Sequence, residues 1–117
     1  MKIVLACVAG LSTTMMMDSM KKVIKDSKKL NIDDFNLMAI PVEQLPAEIE
    51  GTDVVLLGPQ VSYKSDFVES VTKPLNIPYV VIDKDTYGQM DGGTVIKEAL
   101  IAQRKQQLNN QADGGGN

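Results

Sequence analysis

Short, continuously apolar runs alternate along the chain with segments whose apolar residues recur every three or four positions. Lys2 to Ala6 is the first run, suited to a buried strand, and it breaks at the small, polar stretch Cys7-Val8-Ala9-Gly10-Leu11-Ser12-Thr13-Thr14. Met16, Met20, Val23 and Ile24 then follow at helical spacing up to Lys28-Lys29, where cations suit a helix C-terminus. Phe35 to Ile40 predicts a second strand stopped by Pro41, and Val42 to Glu50 a short helical or irregular link disturbed by Pro46. Asp53 to Leu57 predicts a third strand ended by Gly58-Pro59-Gln60, and Ser62 to Thr72 a helix carrying Phe67, Val68 and Val71. Tyr79 to Ile82 makes a fourth strand. After a connection over Asp83 to Met90, a final helix begins near Asp91 and carries Val95, Ile96, Ala99 and Leu100, with a frayed tail from Asn109 to Asn117.

Strands that alternate with helices imply βαβ units, right-handed crossovers and a parallel sheet covered on both faces, so the predicted class is α/β. The predicted organisation is one domain over residues 1–108 and a flexible tail over 109–117, which includes Gly114-Gly115-Gly116. In open sheets of this kind ligands sit beyond the carboxyl ends of the strands. The loops after Ala6, Ile40, Leu57 and Ile82 then share one rim, with Cys7 and Gln60 on it.

Composition narrows the function. At 117 residues, 44% hydrophobic and 23% charged, the chain is expected to fold as an ordinary globular domain. A net charge of -3 offers no electrostatic footprint for nucleic acid or an anionic membrane. The apolar runs are too short to span a bilayer, and the opening residues lack the long apolar core of a signal peptide, so a cytoplasmic location is expected. A single cysteine leaves no internal disulfide. No histidine is present, which excludes histidine metal sites, Ser-His or Cys-His catalytic pairs and a phosphohistidine on this chain. No metal and no cofactor are called for.

The candidate chemistry lies in the first loop. Cys7 to Thr14 places a thiol at a strand end, follows it with Gly10 and three hydroxyl residues, and opens a helix. Backbone N–H groups that curl around one point, together with the free donors of a helix N-terminus, hold an anion without a charged side chain. The same potential favours a thiolate and so a nucleophile. Val8, Ala9, Gly10, Leu11, Ser12, Thr13 and Thr14 are therefore the candidate phosphate-binding residues, and Cys7 the candidate nucleophile. The local pattern also allows Cys7 to be a small buried hydrophobe, with Ser12 or Thr13 capping the helix. The loop further resembles the phosphate-binding loop of low-molecular-weight tyrosine phosphatases, but Thr13 stands where that loop carries arginine. Without a guanidinium fork, storage of a phosphoryl group is favoured over its hydrolysis.

Three segments together resemble one family. Cys7-Val8-Ala9-Gly10-Leu11-Ser12-Thr13-Thr14 is similar to the phosphocysteine loop of lactose/cellobiose-type enzyme IIB proteins of the sugar phosphotransferase system. Leu56-Leu57-Gly58-Pro59-Gln60-Val61 and Tyr87-Gly88-Gln89-Met90-Asp91-Gly92 resemble two further signatures at the expected separations, over roughly residues 1 to 105. The resemblance implies a single-domain three-layer sandwich with a four-stranded parallel sheet in the order 2-1-3-4, similar to low-molecular-weight tyrosine phosphatases. It also implies that Cys7 receives phosphate from a phosphohistidine on enzyme IIA. The phosphate then passes to a sugar of cellobiose, lactose or chitobiose type, held by the membrane enzyme IIC.

Supporting residues have more than one reading. Met16 and Met20 are expected in the core, while whichever of Met15 and Met17 points outward suits a surface that meets two partners in turn. Gln60 and Tyr63 are expected to contact a partner or order the Cys7 loop, although Gly58-Pro59 also reads as a plain turn. Asp91 reads as a helix N-cap rather than a catalytic acid. Tyr87 is placed on the active rim, or packs for stability alone. The competing functions are a low-molecular-weight cysteine phosphatase and a flavodoxin-like binding module, the latter weakened by the absence of tryptophan.

Overall fold

The structure is a computed structural model that describes residues 1–8 and 10–115. Its strands are β1 (Lys2–Cys7), β2 (Asn36–Pro41), β3 (Val54–Leu57) and β4 (Tyr79–Val81), all parallel in the order β2-β1-β3-β4. The expected α/β class and strand order are both found. Between and after the strands run α1 (Leu11–Asp26), α2 (Leu45–Glu48), α3 (Ser65–Thr72), α4 (Lys84–Gly88) and α5 (Gly92–Gly115).

Strand alternation sorts the sheet into two cores. Ile3, Leu5, Cys7, Val54 and Leu56 project to one face, where Met16, Met17, Met20 and Ile24 of α1 meet Val95, Ile96 and Ala99 of α5. Val4, Ala6, Val55 and Leu57 project to the other, against Leu45 of α2, Val68 of α3 and Val61 in the segment before it. Burial on both faces explains why β1 and β3 read as unbroken apolar runs, while the edge strands β2 and β4 are only partly buried. Of the methionine run, Met16 and Met17 are buried and Met15 is exposed.

Several boundaries differ from the sequence reading for local reasons. Helix α1 starts at Leu11 with Gly10 as its N-cap and no capping side chain, so neither Ser12 nor Thr13 caps it. A 3-10 segment, Pro59–Lys64, precedes α3 and takes up the first residues of the expected helix. The connection after β4 contains α4, whose start is fixed by Asp83: its Oδ2 accepts from the amides of Asp85 and Thr86 at 3.0 and 3.4 Å. Helix α5 runs on past Leu108, where a frayed end is predicted, and Gln106 Nε2 donates to Asn110 Oδ1 at 3.0 Å one turn along. The apolar pattern marks where burial fades, since Leu108 is already exposed, whereas helix growth needs only one more backbone bond per residue. The last two residues of the predicted tail lie outside the described residues.

Helices α1 and α5 meet at a backbone-to-backbone contact. A Cβ on Gly92 would come within 2.6 Å of Ser19 Oγ and 2.7 Å of Met20 N. Ser19 Oγ donates to the Met90 carbonyl at 2.7 Å and accepts from Gly92 N–H at 3.1 Å, which ties the turn before α5 to the middle of α1. Met90 takes the left-handed conformation there (φ 53°). Asp91 caps the helix as predicted: Oδ1 accepts from Thr94 N–H at 3.1 Å and Oδ2 from the Thr94 hydroxyl at 2.7 Å. These bonds, the Thr94 hydroxyl foremost, hold the Asp91 carboxyl below the usual carboxylate range.

Two outcomes follow. Gly92→Ala is expected to destabilise the fold by about 1–3 kcal/mol, because α1 backbone cannot retreat from the added carbon; urea unfolding measures it. A carboxyl whose folded value is depressed stabilises fully above its unfolded value and loses that effect as pH falls through the folded one. Asp91→Ala therefore lowers the melting midpoint at neutral pH, and the gap to the parent narrows in strong acid, as a calorimetric pH series would show.

Candidate functional site

Cys7 is the last residue of β1, the inner strand flanked by β2 and β3, and its side chain is 1% exposed. The β1 to β3 ladder continues one residue beyond β3, where Gly58 N–H donates to the Ala6 carbonyl at 2.9 Å. That bond sets Gly58 beside Cys7. A Cβ on residue 58 would stand 2.6 Å from Cys7 Sγ and 3.0 Å from Gln60 Oε1, so the sulfur occupies space that only glycine leaves free. Gly58 is thus required by the sulfur itself, a constraint that its sequence context, readable as a plain turn, does not show, whereas nothing lies within 4 Å of a Cβ built on Gly10.

Among the described residues, two side chains are within hydrogen-bonding distance of the sulfur. The thiol donates to Gln60 Oε1 at 3.4 Å, and Tyr87 Oη lies 3.6 Å from Sγ. Gln60 comes from the exposed 3-10 segment after β3, whereas Tyr87 is 4% exposed and reaches the sulfur from α4. Asp83 thereby positions Tyr87 by starting α4 at the right point. Its signal in the sequence was the cap pattern of an aspartate directly after a strand.

The loop between β1 and α1 contributes backbone and one inward hydroxyl. Thr13 is buried, and its Oγ1 donates to the Val8 carbonyl at 2.7 Å, which closes the loop over five residues. Thr14 Oγ1 donates to the Gly10 carbonyl at 3.4 Å, and Ser12 is exposed. Thr14 N–H also bonds the Gly10 carbonyl, at 3.3 Å, and among the described residues α1 has no capping side chain. The first turn of a 16-residue helix thus presents its positive end to the loop. Ala9, expected in the same cradle, lies outside the described residues.

Of the other expected residues, Tyr63 is 77% exposed and borders a hollow with Glu43, Lys64 and Phe67, and the carboxylate of Asp91 is engaged with Thr94. Neither is among the hydrogen-bond partners of the sulfur. A groove of about 370 Å³ between α1 and β2, bordered by Thr14, Met17, Lys21, Leu37 and Pro41, runs along the outer side of the loop. Cys7 does not line it. Around the loop itself Val8, Leu11 and Met15 are exposed, Leu11 to 77%.

Gly58→Ala is expected to drive the sulfur out of its pocket, with a loss of about 1–3 kcal/mol in stability. Iodoacetamide should then alkylate Cys7 in the folded variant faster than in the parent; equal rates would show that the pocket accepts the extra carbon.

Comparisons with known proteins agree with this geometry. Residues 2–98 match the family model described as PTS system, lactose/cellobiose-specific IIB subunit. The chain is 33% identical over 102 residues to the cellobiose-specific EIIB component of the PTS system of Lactococcus lactis subsp. lactis, covering 83% of this chain and 91% of that protein. It is 32% identical over 102 residues to the galactose-specific EIIB component of Lactococcus lactis subsp. cremoris, with the same coverage. The solution structure of the cellobiose-specific phosphotransferase IIB component protein from Borrelia burgdorferi superposes with a TM-score of 0.74 at 36% identity, covering 91% of this chain and 94% of that one. A thiol at the end of β1, the glycine that makes room for it and the two later signature segments thus sit in a shared fold, and the chain belongs to the lactose/cellobiose-specific IIB subunits of the PTS, the sugar phosphotransferase system.

Proposed function

We propose that this chain relays a phosphoryl group on Cys7, taking it in the cytoplasm from a phosphohistidine of enzyme IIA and giving it to a sugar bound by the membrane enzyme IIC. The observation that carries this reading is the position of the sulfur: it ends β1, directly before a loop and a helix start that has no capping side chain among the described residues, whose positive end suits phosphate oxygens. In the first step sulfur attacks phosphorus in line as the P–N bond to the imidazole breaks, and the thiol proton ends on the departing imidazole nitrogen. In the second, a sugar hydroxyl attacks phosphorus as the S–P bond breaks, and the hydroxyl proton is left for a base on the partner, since this chain has no histidine. Among the described residues no helix is long and apolar enough to cross a membrane, which fits a carrier that meets its membrane partner from outside the bilayer.

Storage rather than hydrolysis is supported by the absence of any charged side chain from residues 8–14 and by the engagement of the Thr13 hydroxyl with Val8. A hydrolase must also lower the barrier for water, usually with a cation on the transferring group and an acid for the leaving atom. The exposed Val8, Leu11 and Met15 form an apolar collar around the loop, suited to burial against partners that exclude water during transfer.

The chain incubated with phosphorylated enzyme IIA is expected to gain one phosphate on Cys7, to keep it in buffer, and to lose it when sugar and enzyme IIC are added. Mass spectrometry of peptides locates the group and times its loss. Rapid release to free phosphate without the partner, or phosphate on another residue, rejects the carrier. Cys7→Ser should fold normally and end the relay, because an unassisted hydroxyl is too weak a nucleophile.

A further inference from the structure

Cys7 Sγ faces two hydrogen-bonding side chains that answer different states of the sulfur. At rest the thiol donates to Gln60 Oε1, while the Tyr87 hydroxyl is free to donate to sulfur or accept from it. A thiol has one proton to give, and a thiolate or a phosphocysteine sulfur has none. Formation of the phosphocysteine therefore removes the donor that Gln60 Oε1 accepts from, and the donor returns only when the sulfur freed in the second step regains a proton. Until then a carbonyl oxygen would be left facing a charged sulfur or phosphoryl oxygens, an arrangement that costs free energy beside a buried sulfur. The side-chain amide carries the opposite chemistry on its other arm: half a turn about its last bond replaces Oε1 with Nε2 donors.

The surroundings permit that turn at Gln60 and not elsewhere in the trio. Gln60 sits exposed on the 3-10 segment, so its amide rotates without loss of core contacts. Tyr87 is packed in the α1–α5 core, and Gly58 offers only backbone. Because the sulfur is almost fully covered, a partner's phosphorus can approach only after some covering group has moved, and Gln60 is the exposed one.

On the carrier reading above, we propose that Gln60 is the switching hydrogen-bond partner of Cys7. Its amide accepts from the resting thiol, and turns to donate to sulfur and then to phosphoryl oxygen once the thiol proton has passed to the departing imidazole. The switch lets one neutral pocket hold both the thiol and its phosphorylated form, with no cation to strengthen one state at the expense of the other.

Gln60→Glu and Gln60→Met test it, since both side chains have the length to cover the sulfur and neither donates; circular dichroism confirms that they fold. Alkylation of Cys7 by iodoacetamide and phosphate uptake from phosphorylated enzyme IIA are each expected to slow by about tenfold or more, the usual effect of losing one hydrogen bond to a charged group. In the labelled parent protein, one Gln60 Nε2 proton should move downfield when Cys7 is phosphorylated. Parent-like rates in Gln60→Met, or a Gln60 amide signal unchanged on a chain shown to carry phosphate on Cys7, overturn the switch and leave the carrier standing. A parent chain that takes up no phosphate on Cys7 overturns both.

Discussion

The contact between Cys7 Sγ and the backbone of Gly58 constrains the rest of the site. The sulfur stands where any side chain at residue 58 would begin, 2.6 Å from its Cβ, on the shared ladder of β1 and β3. Parallel register fixes that juxtaposition, because Ala6 pairs with Leu57 and the next residues on each strand are Cys7 and Gly58. One slip in register would turn Cys7 to the opposite face of the sheet. The apolar fill of both faces holds the register, so core packing and reactive geometry are a single requirement.

From that contact the site is completed by elements that reach the sulfur from two loops. Gln60 follows Gly58 by two residues and arrives on the exposed turn, while Tyr87 arrives through α4, started by Asp83. The signature around Tyr87 extends the same logic across the molecule: Gly92 lets α5 touch α1, Ser19 pins the intervening turn, and Asp91 starts the helix. Since α1 begins directly after the loop, its seating on α5 bears on the placement of that loop. Stability and chemistry share the same small residues.

Among the described residues the side chains that hydrogen-bond the sulfur are uncharged, an amide and a phenol. On the proposed relay, a phosphoryl group there would meet no guanidinium that binds the transition state for attack by water. Val8, Leu11 and Met15 are exposed on and just after the loop that follows the buried sulfur, an apolar surface that docking would cover on the proposed relay.

The α/β class and all four strands are legible in the chain alone, because runs buried on both faces and amphipathic helices leave patterns that survive without tertiary context. The sequence also identified Cys7 as the candidate nucleophile and Asp91 as a cap, since both depend on immediate neighbours along the chain. What remained undetermined was anything set by contact between distant segments. The glycine that makes room for the sulfur is Gly58, 51 residues away from Cys7 and adjacent to it only through strand pairing. Thr13 looked like a phosphate donor or a cap, but burial turned its hydroxyl to the Val8 carbonyl. The sequence places Gln60 and Tyr87 on the rim, but only β3, α4 and the sheet register bring them to one atom, the Cys7 sulfur. Hydrophobic period is written locally and so can be read from a single chain, whereas the approach of Sγ to a bare backbone and two polar side chains exists only once β1 and β3 have paired and α4 has packed.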